Sequence, residues 1–196
     1  YMNGRKLFPK SIHIATDAIA LITNRQNTDS LIGIPVLKDI LTGKIKDWEE
    51  FTTDNKSGKI EVVFDNPNSG TVRYAIDSIC GGEPLNGNLH AMKDNRQVMD
   101  YVSKTPGALG IIGVNWISNP LDSTCMSFLD DIKVMAVSRY RKATVTNSFK
   151  PYQAYIALKE YPMTRSVYLI LSEPRMGLAS GFTTFITSDR GQRIIL

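Results

Sequence analysis

The stretch that decides the fold is Val62-Val63-Phe64-Asp65-Asn66-Pro67-Asn68-Ser69-Gly70-Thr71-Val72-Arg73. It reads strand, turn, helix. Ile60 to Phe64 is rich in β-branched residues, which pack well on a pleated surface. Asp65 to Asn68 is a turn, because Pro67 fixes φ and Asp and Asn side chains bond their own backbone nearby. From Thr71, the apolar residues Val72, Ala75, Ile76 and Ile79 recur at helical spacing, and Gly81-Gly82 ends the run. A helix start leaves unpaired N–H groups and the positive end of the peptide dipoles, which together attract an anion. Gly70 lets the backbone approach a ligand closely, Ser69 and Thr71 add hydroxyl donors, and Arg73 can add a charge-assisted contact. Asn68, Ser69, Gly70, Thr71 and Arg73 are therefore the candidate oxyanion-binding residues. A plainer reading stands beside this one: Ser69 or Thr71 only caps the helix, and Arg73 pairs with Asp77 at i, i+4. The stretch lacks the Gly-Lys-Ser/Thr ending of a P-loop, so nucleotide hydrolysis has no support.

Working outward, Ser11 to Thr23 reads as a strand or strand pair, and Arg25 to Gly33 as a polar loop. Val36 to Leu41 makes one or two helical turns stopped by Gly43. Asn95 to Ser103 is a helix with Val98, Met99 and Val102 on one face, and Ala108 to Val114 is a buried strand. Strands are also expected over Ile132 to Val137, Tyr152 to Leu158 and Val167 to Leu171. Gly181 to Thr187 and Asp189 to Leu196 read as helices, with Phe182, Phe185 and Ile186 facing inward. Alternating strands and helices give an α/β fold.

The chain has 196 residues, 42% of them hydrophobic and 21% charged, enough to bury a sizeable core. No apolar run is long enough to span a membrane, and no secretory signal opens the sequence. The first residue is Tyr1, which is consistent with a fragment or a processed product. A net charge of +4 mildly favours anionic ligands, but the cations are too dispersed to argue for nucleic acid. Cys80 and Cys125 can form a disulfide or stay as buried thiols. No Cys/His spacing suits zinc, His13 and His90 stand alone, and no nucleophile–base pair is recognisable, so neither metal, cofactor nor catalysis is expected. Trp48 and Trp116 read as packing residues, and Asp17 as a strand-edge carboxylate or a hydrogen-bonded crossover residue.

Several segments then fall into an ordered series: Leu41-Thr42-Gly43-Lys44-Ile45-Lys46-Asp47-Trp48, Ile60 to Phe64, Asn68-Ser69-Gly70-Thr71, and Pro106-Gly107-Ala108-Leu109-Gly110-Ile111-Ile112-Gly113. Together with Tyr161 to Ile170 and Gly181 to Gln192, this series resembles the periplasmic phosphate-binding proteins of ABC transporters. The resemblance implies a type II periplasmic-binding-protein-like α/β fold of two lobes with mixed sheets, the first lobe incomplete in this chain. It assigns residues 1–24 and 150–196 to that first lobe with its crossover strands, and 25–149 to a second lobe carrying the Ser-Gly-Thr loop. It implies that Ser69, Gly70 and Thr71 hold inorganic phosphate or a similar oxyanion, that the partner is a membrane ABC permease, and that the protein is periplasmic or a membrane-anchored lipoprotein. The alternative is a sensing or interaction module on the same fold. One departure stands out: the family commonly has an Arg shortly before the loop, where this chain has Phe64-Asp65-Asn66. Arg73 is the candidate substitute cation.

Overall fold

The computed structural model describes residues 9–118, 132–172 and 177–195. Its central element is β1 (Lys10–Thr23), a single 14-residue strand. The sheet around it runs β4 (Leu89–Ala91), β3 (Glu61–Phe64), β5 (Ala108–Gly113), β1, β6 (Lys133–Val134), and β9 (Thr164–Leu171) also pairs with β1. β3 is parallel to both β4 and β5, whereas β1 is antiparallel to β5 and β6. The sheet is therefore mixed, as expected.

The apolar runs are continuous because both faces of this sheet are covered. Side chains alternate along a strand, so Leu21, Val62, Phe64, Leu109 and Ile111 enter one buried cluster while Ala20, Ile22, Val63 and Ile112 enter a second. The first cluster is closed by α1 (Ile34–Leu41) and by Trp48, which opens the one-turn α2 (Trp48–Phe51). Trp48 is 0% exposed, and its indole N–H donates to the Gly107 carbonyl at 3.0 Å. The second cluster is closed by Val98 and Val102 of α4 (Asn95–Lys104). Gly43 ends α1 in the left-handed region at φ 77°, which only glycine adopts freely. A smaller sheet, β2 (Leu31–Gly33), β7 (Ala136–Ser138) and β8 (Ser148–Phe149), packs beside α5 (Gln153–Ala157), where the Phe149 and Tyr155 rings meet at 5.0 Å.

The chain divides into two compact units, Ala18–Met163 on one side and Tyr1–Asp17 with Thr164–Leu196 on the other. The second unit holds the first half of β1, β9, α6 (Leu178–Ile186) and α7 (Asp189–Ile195). Arg165 donates from Nε and Nη2 to Asp17 Oδ2 at 2.8 and 2.6 Å, which makes Asp17 an ion-paired strand residue. The Gln192 amide donates to the Ile14 and Ile186 carbonyls, both at 2.9 Å, and so ties α7 to β1 and α6.

Four local expectations are corrected. Tyr152 to Leu158 is not a strand: Gln153–Ala157 is helical, and the 3.6-residue period turns Tyr155 and Ile156 together onto the core. Ile132 to Val137 is not one strand but two, β6 and β7 in different sheets, separated by the fully buried Met135. The segment expected as polar loop contains β2, which pairs in parallel with β7. Phe182 and Phe185 do not face inward: they are 54% and 45% exposed, and Thr183 is the buried residue of α6. Cys80 is a buried free thiol, and Cys125, with the expectation of a disulfide between the two, lies outside the described residues.

Candidate anion-binding site

The site begins where β3 ends. Its C-terminal end is the edge at which parallel α/β sheets present ligands. The Asn66 side chain accepts from the Asn68 N–H at 2.9 Å and the Asn66 carbonyl from the Ser69 N–H at 3.1 Å, closing the turn. Ser69 then sits in extended geometry as the N-cap of α3 (Gly70–Tyr74), and its Oγ accepts from the Val72 N–H at 3.2 Å. The capping reading is therefore correct as far as it goes. It does not exhaust the site. The hydroxyl proton of Ser69 is still available to donate, because capping uses only the oxygen lone pairs. Gly70 and Thr71 have no partner for their N–H groups among the described residues. Three donors are thus grouped at one helix start.

Beyond Tyr74 the helix widens into π geometry over Ala75–Ile79, with the Cys80 N–H reaching the Ala75 carbonyl at 2.9 Å. This shifts the buried face to Thr71, Ala75, Ile79 and Cys80, while Val72 and Ile76 are only half-buried. The buried face anchors the helix on the core and fixes where its start lies. Arg73 is exposed one turn in, and no ion pair to Asp77 forms among the described residues. The guanidinium is thus uncommitted.

The next helix start on this sheet offers a contrast. α4 follows β4, and Asp94 caps it by accepting from the Gln97 N–H at 2.9 Å. Asp65 also turns that way: one carboxylate oxygen takes the Asn66 N–H at 3.0 Å, the other the Asn95 side-chain amide at 3.4 Å. Two carboxylates of the protein itself therefore attend the α4 start, whereas a neutral hydroxyl caps α3. The α3 start is left with its partial positive charge uncompensated. Asn95 was missed at the sequence level, because its contact with Asp65 spans 30 residues; its Oδ1 is buried with no hydrogen-bond partner among the described residues. Trp116 belongs to none of these contacts.

The PBP superfamily domain profile matches residues 7–190. The chain belongs to this family. Among PBP superfamily relatives it is similar to the phosphate-binding protein PstS of Bacillus subtilis, 31% identical over 164 residues. That match takes in 82% of this chain but 46% of the relative, so the chain spans about half the length of that protein. A candidate phosphate ABC transporter substrate-binding protein from Clostridium perfringens, solved with bound phosphate, is 25% identical with a TM-score of 0.72, over 95% of this chain and 69% of the other. An ABC-type phosphate transport receptor from Vibrio cholerae shares the fold at a TM-score of 0.74 and 19% identity, over 95% of this chain and 70% of that one. The PBP-like α/β fold with mixed sheets expected from the sequence is thus established.

Proposed function

We propose that this chain is part of the substrate-binding component of an ABC transporter, and that it holds inorganic phosphate or a similar oxyanion on the Asn68-Ser69-Gly70-Thr71 helix start. The observation that carries the proposal is the pair of unpartnered N–H groups at Gly70 and Thr71 beside the Ser69 hydroxyl. Support comes from the phosphate-binding name of the B. subtilis relative and the phosphate in the C. perfringens structure. Arg73 supplies the cation that the residues before the loop, Phe64-Asp65-Asn66, lack, and the Asp65 carboxylate is turned toward Asn95. The lobe that carries the loop is read as residues 25–149, which lie wholly inside the Ala18–Met163 unit. The chain binds and releases its ligand without chemistry, hands it to a membrane permease, and works on the outer side of that membrane.

Calorimetry on the full-length protein with phosphate, sulfate and molybdate tests this. Phosphate should bind, and Arg73→Ala should weaken it about tenfold, the scale of one charge-assisted contact. Unchanged affinity in Arg73→Ala would remove Arg73 from the site. Binding of sulfate but not phosphate would correct the ligand. Binding of no oxyanion would overturn the proposal in favour of an interaction module.

A further inference from the structure

Between Arg139 and Lys159 the sequence carries five cations, Arg139, Arg141, Lys142, Lys150 and Lys159, and no acidic residue. The whole chain is at +4, so everything outside this segment sums to −1. The positive excess is thus concentrated in the loop joining β7 to β8, which holds Arg139, Arg141 and Lys142, and at Lys150 and Lys159, which flank α5. The fold brings the two ends of the segment together, because the Arg139 guanidinium donates to the Lys159 carbonyl. The loop is held in shape: Ser138 Oγ accepts from the Tyr140 N–H at 3.2 Å, Asn147 Oδ1 from the Thr144 N–H at 2.8 Å, and the Asn147 amide donates to the Lys142 carbonyl at 3.1 Å. It also lies tight on β2, where a Cβ at Gly33 would come within 2.1 Å of the Tyr140 carbonyl. Arg141 reaches back to Asp39 at 2.8 Å, which anchors the loop to α1.

Apolar groups stand among these charges. Tyr140, Val145 and Leu158 are 66%, 84% and 68% exposed, and Trp116 is the other exposed large apolar residue among the described residues of the Ala18–Met163 unit. A basic surface studded with a tyrosine and aliphatic tips suits one environment in particular. Anionic head groups attract the cations, while Tyr and short apolar side chains settle at the boundary between head groups and acyl chains. Asp39, the acid that the loop contacts, is already paired with Arg141, and Glu160 follows Lys159 as the next acid in sequence.

We propose that loop 139–147 and the residues just after α5, Leu158 and Lys159, form a docking surface for an anionic lipid membrane. This goes beyond ligand binding: it would hold the protein on the bilayer and confine its search for a membrane partner to two dimensions. Co-sedimentation with vesicles tests it, using phosphatidylcholine doped with phosphatidylglycerol against phosphatidylcholine alone, at low and at high salt. The chain should pellet with the anionic vesicles at low salt, and salt should release it. Tyr140→Ser/Lys142→Gln/Lys159→Gln should bind at least about tenfold more weakly, since each basic residue near an anionic leaflet contributes several-fold. Its urea midpoint and phosphate isotherm should stay those of the parent chain. Lys56→Gln/Lys104→Gln loses the same net charge elsewhere and should keep vesicle binding within about twofold. No pelleting, equal pelleting on neutral vesicles, or equal loss in the control pair would overturn the proposal. Capture on polyglutamate beads without vesicle binding would overturn it in favour of an acidic protein partner.

Discussion

Tyr161 is fully buried, and its phenol donates to the Ile19 carbonyl of β1 at 2.6 Å. Burial, with a smaller contribution from Tyr74, pushes its pKa well above the ordinary phenol value. A raised acid binds its proton in the folded state while the unfolded chain loses it. Stability is therefore intact below about pH 10 and falls above it, by about 1.4 kcal/mol per pH unit for one group. Tyr161→Phe should flatten the alkaline limb of a urea-midpoint profile, and at neutral pH it should cost about 1–2 kcal/mol for the lost hydrogen bond. At the site, Ser69 can be tested in the same spirit. Ser69→Gly should lower stability by only a few tenths of a kcal/mol, because glycine is a tolerable N-cap, whereas Ser69→Ala should cost about 1 kcal/mol. Both remove the hydroxyl, so phosphate titrations should show the same loss of affinity for the two. Affinity that tracks stability instead would mean that Ser69 is only a cap. The helix start at Ser69, Gly70 and Thr71 was legible because a helix start is a local event. The engagement of Asp65 was not, since its partner Asn95 arrives from another βα unit.

Among the elements, β5 and the turn that leads into it show how glycine spacing encodes packing. A Cβ on Gly107 would lie 2.3 Å from the Lys59 carbonyl, a backbone atom of the segment bridged to Asp47 that leads into β3, and it cannot yield without moving that segment. A Cβ on Gly110 would meet the side chains of Ile22 at 2.7 Å and Val102 at 2.9 Å, which can rotate or shift. Gly110→Ala should thus cost about 1–3 kcal/mol as ordinary overpacking, and Gly107→Ala clearly more, with the order read from urea unfolding midpoints. The long strands and α4 were legible because their apolar patterns run for six residues or more and repeat cleanly. α5 is five residues long and β2 three, too short for a period to declare itself. β6 and β7 read as one because Met135 between them is buried like a strand residue, and only pairing partners distant in sequence reveal the change of sheet.

Across the whole molecule, the alternation of buried strands and helices makes the α/β class legible in the sequence, and the order of the Gly-Lys-Ile, Ser-Gly-Thr and Gly-Ala-Leu-Gly segments points to the family. The structure explains why two of those segments travel together: Trp48, which closes one, is hydrogen-bonded to Gly107, which opens the other. What the pattern did not convey is the outer character of α6. Val167, Tyr168, Ile170, Leu178, Phe182, Phe185 and Ile194 are all exposed in the unit built from the two chain ends. Apolar exposure on this scale marks a surface that seeks cover. The 196-residue chain should therefore bind anilinonaphthalene sulfonate in its native state, and Ile170→Thr/Phe182→Ser should reduce that fluorescence by at least about half while leaving the urea midpoint unchanged. Equal dye fluorescence in the two proteins would show that this surface is not the one exposed.

The two tryptophans have a practical consequence. Trp48 is sealed at 0% exposure and Trp116 is 46% exposed, so the chain carries an inner and an outer lamp. A collisional quencher such as iodide should dim Trp116 and leave Trp48 lit. The residual emission then reads the integrity of the join between the start of α2 and β5 without any label being added.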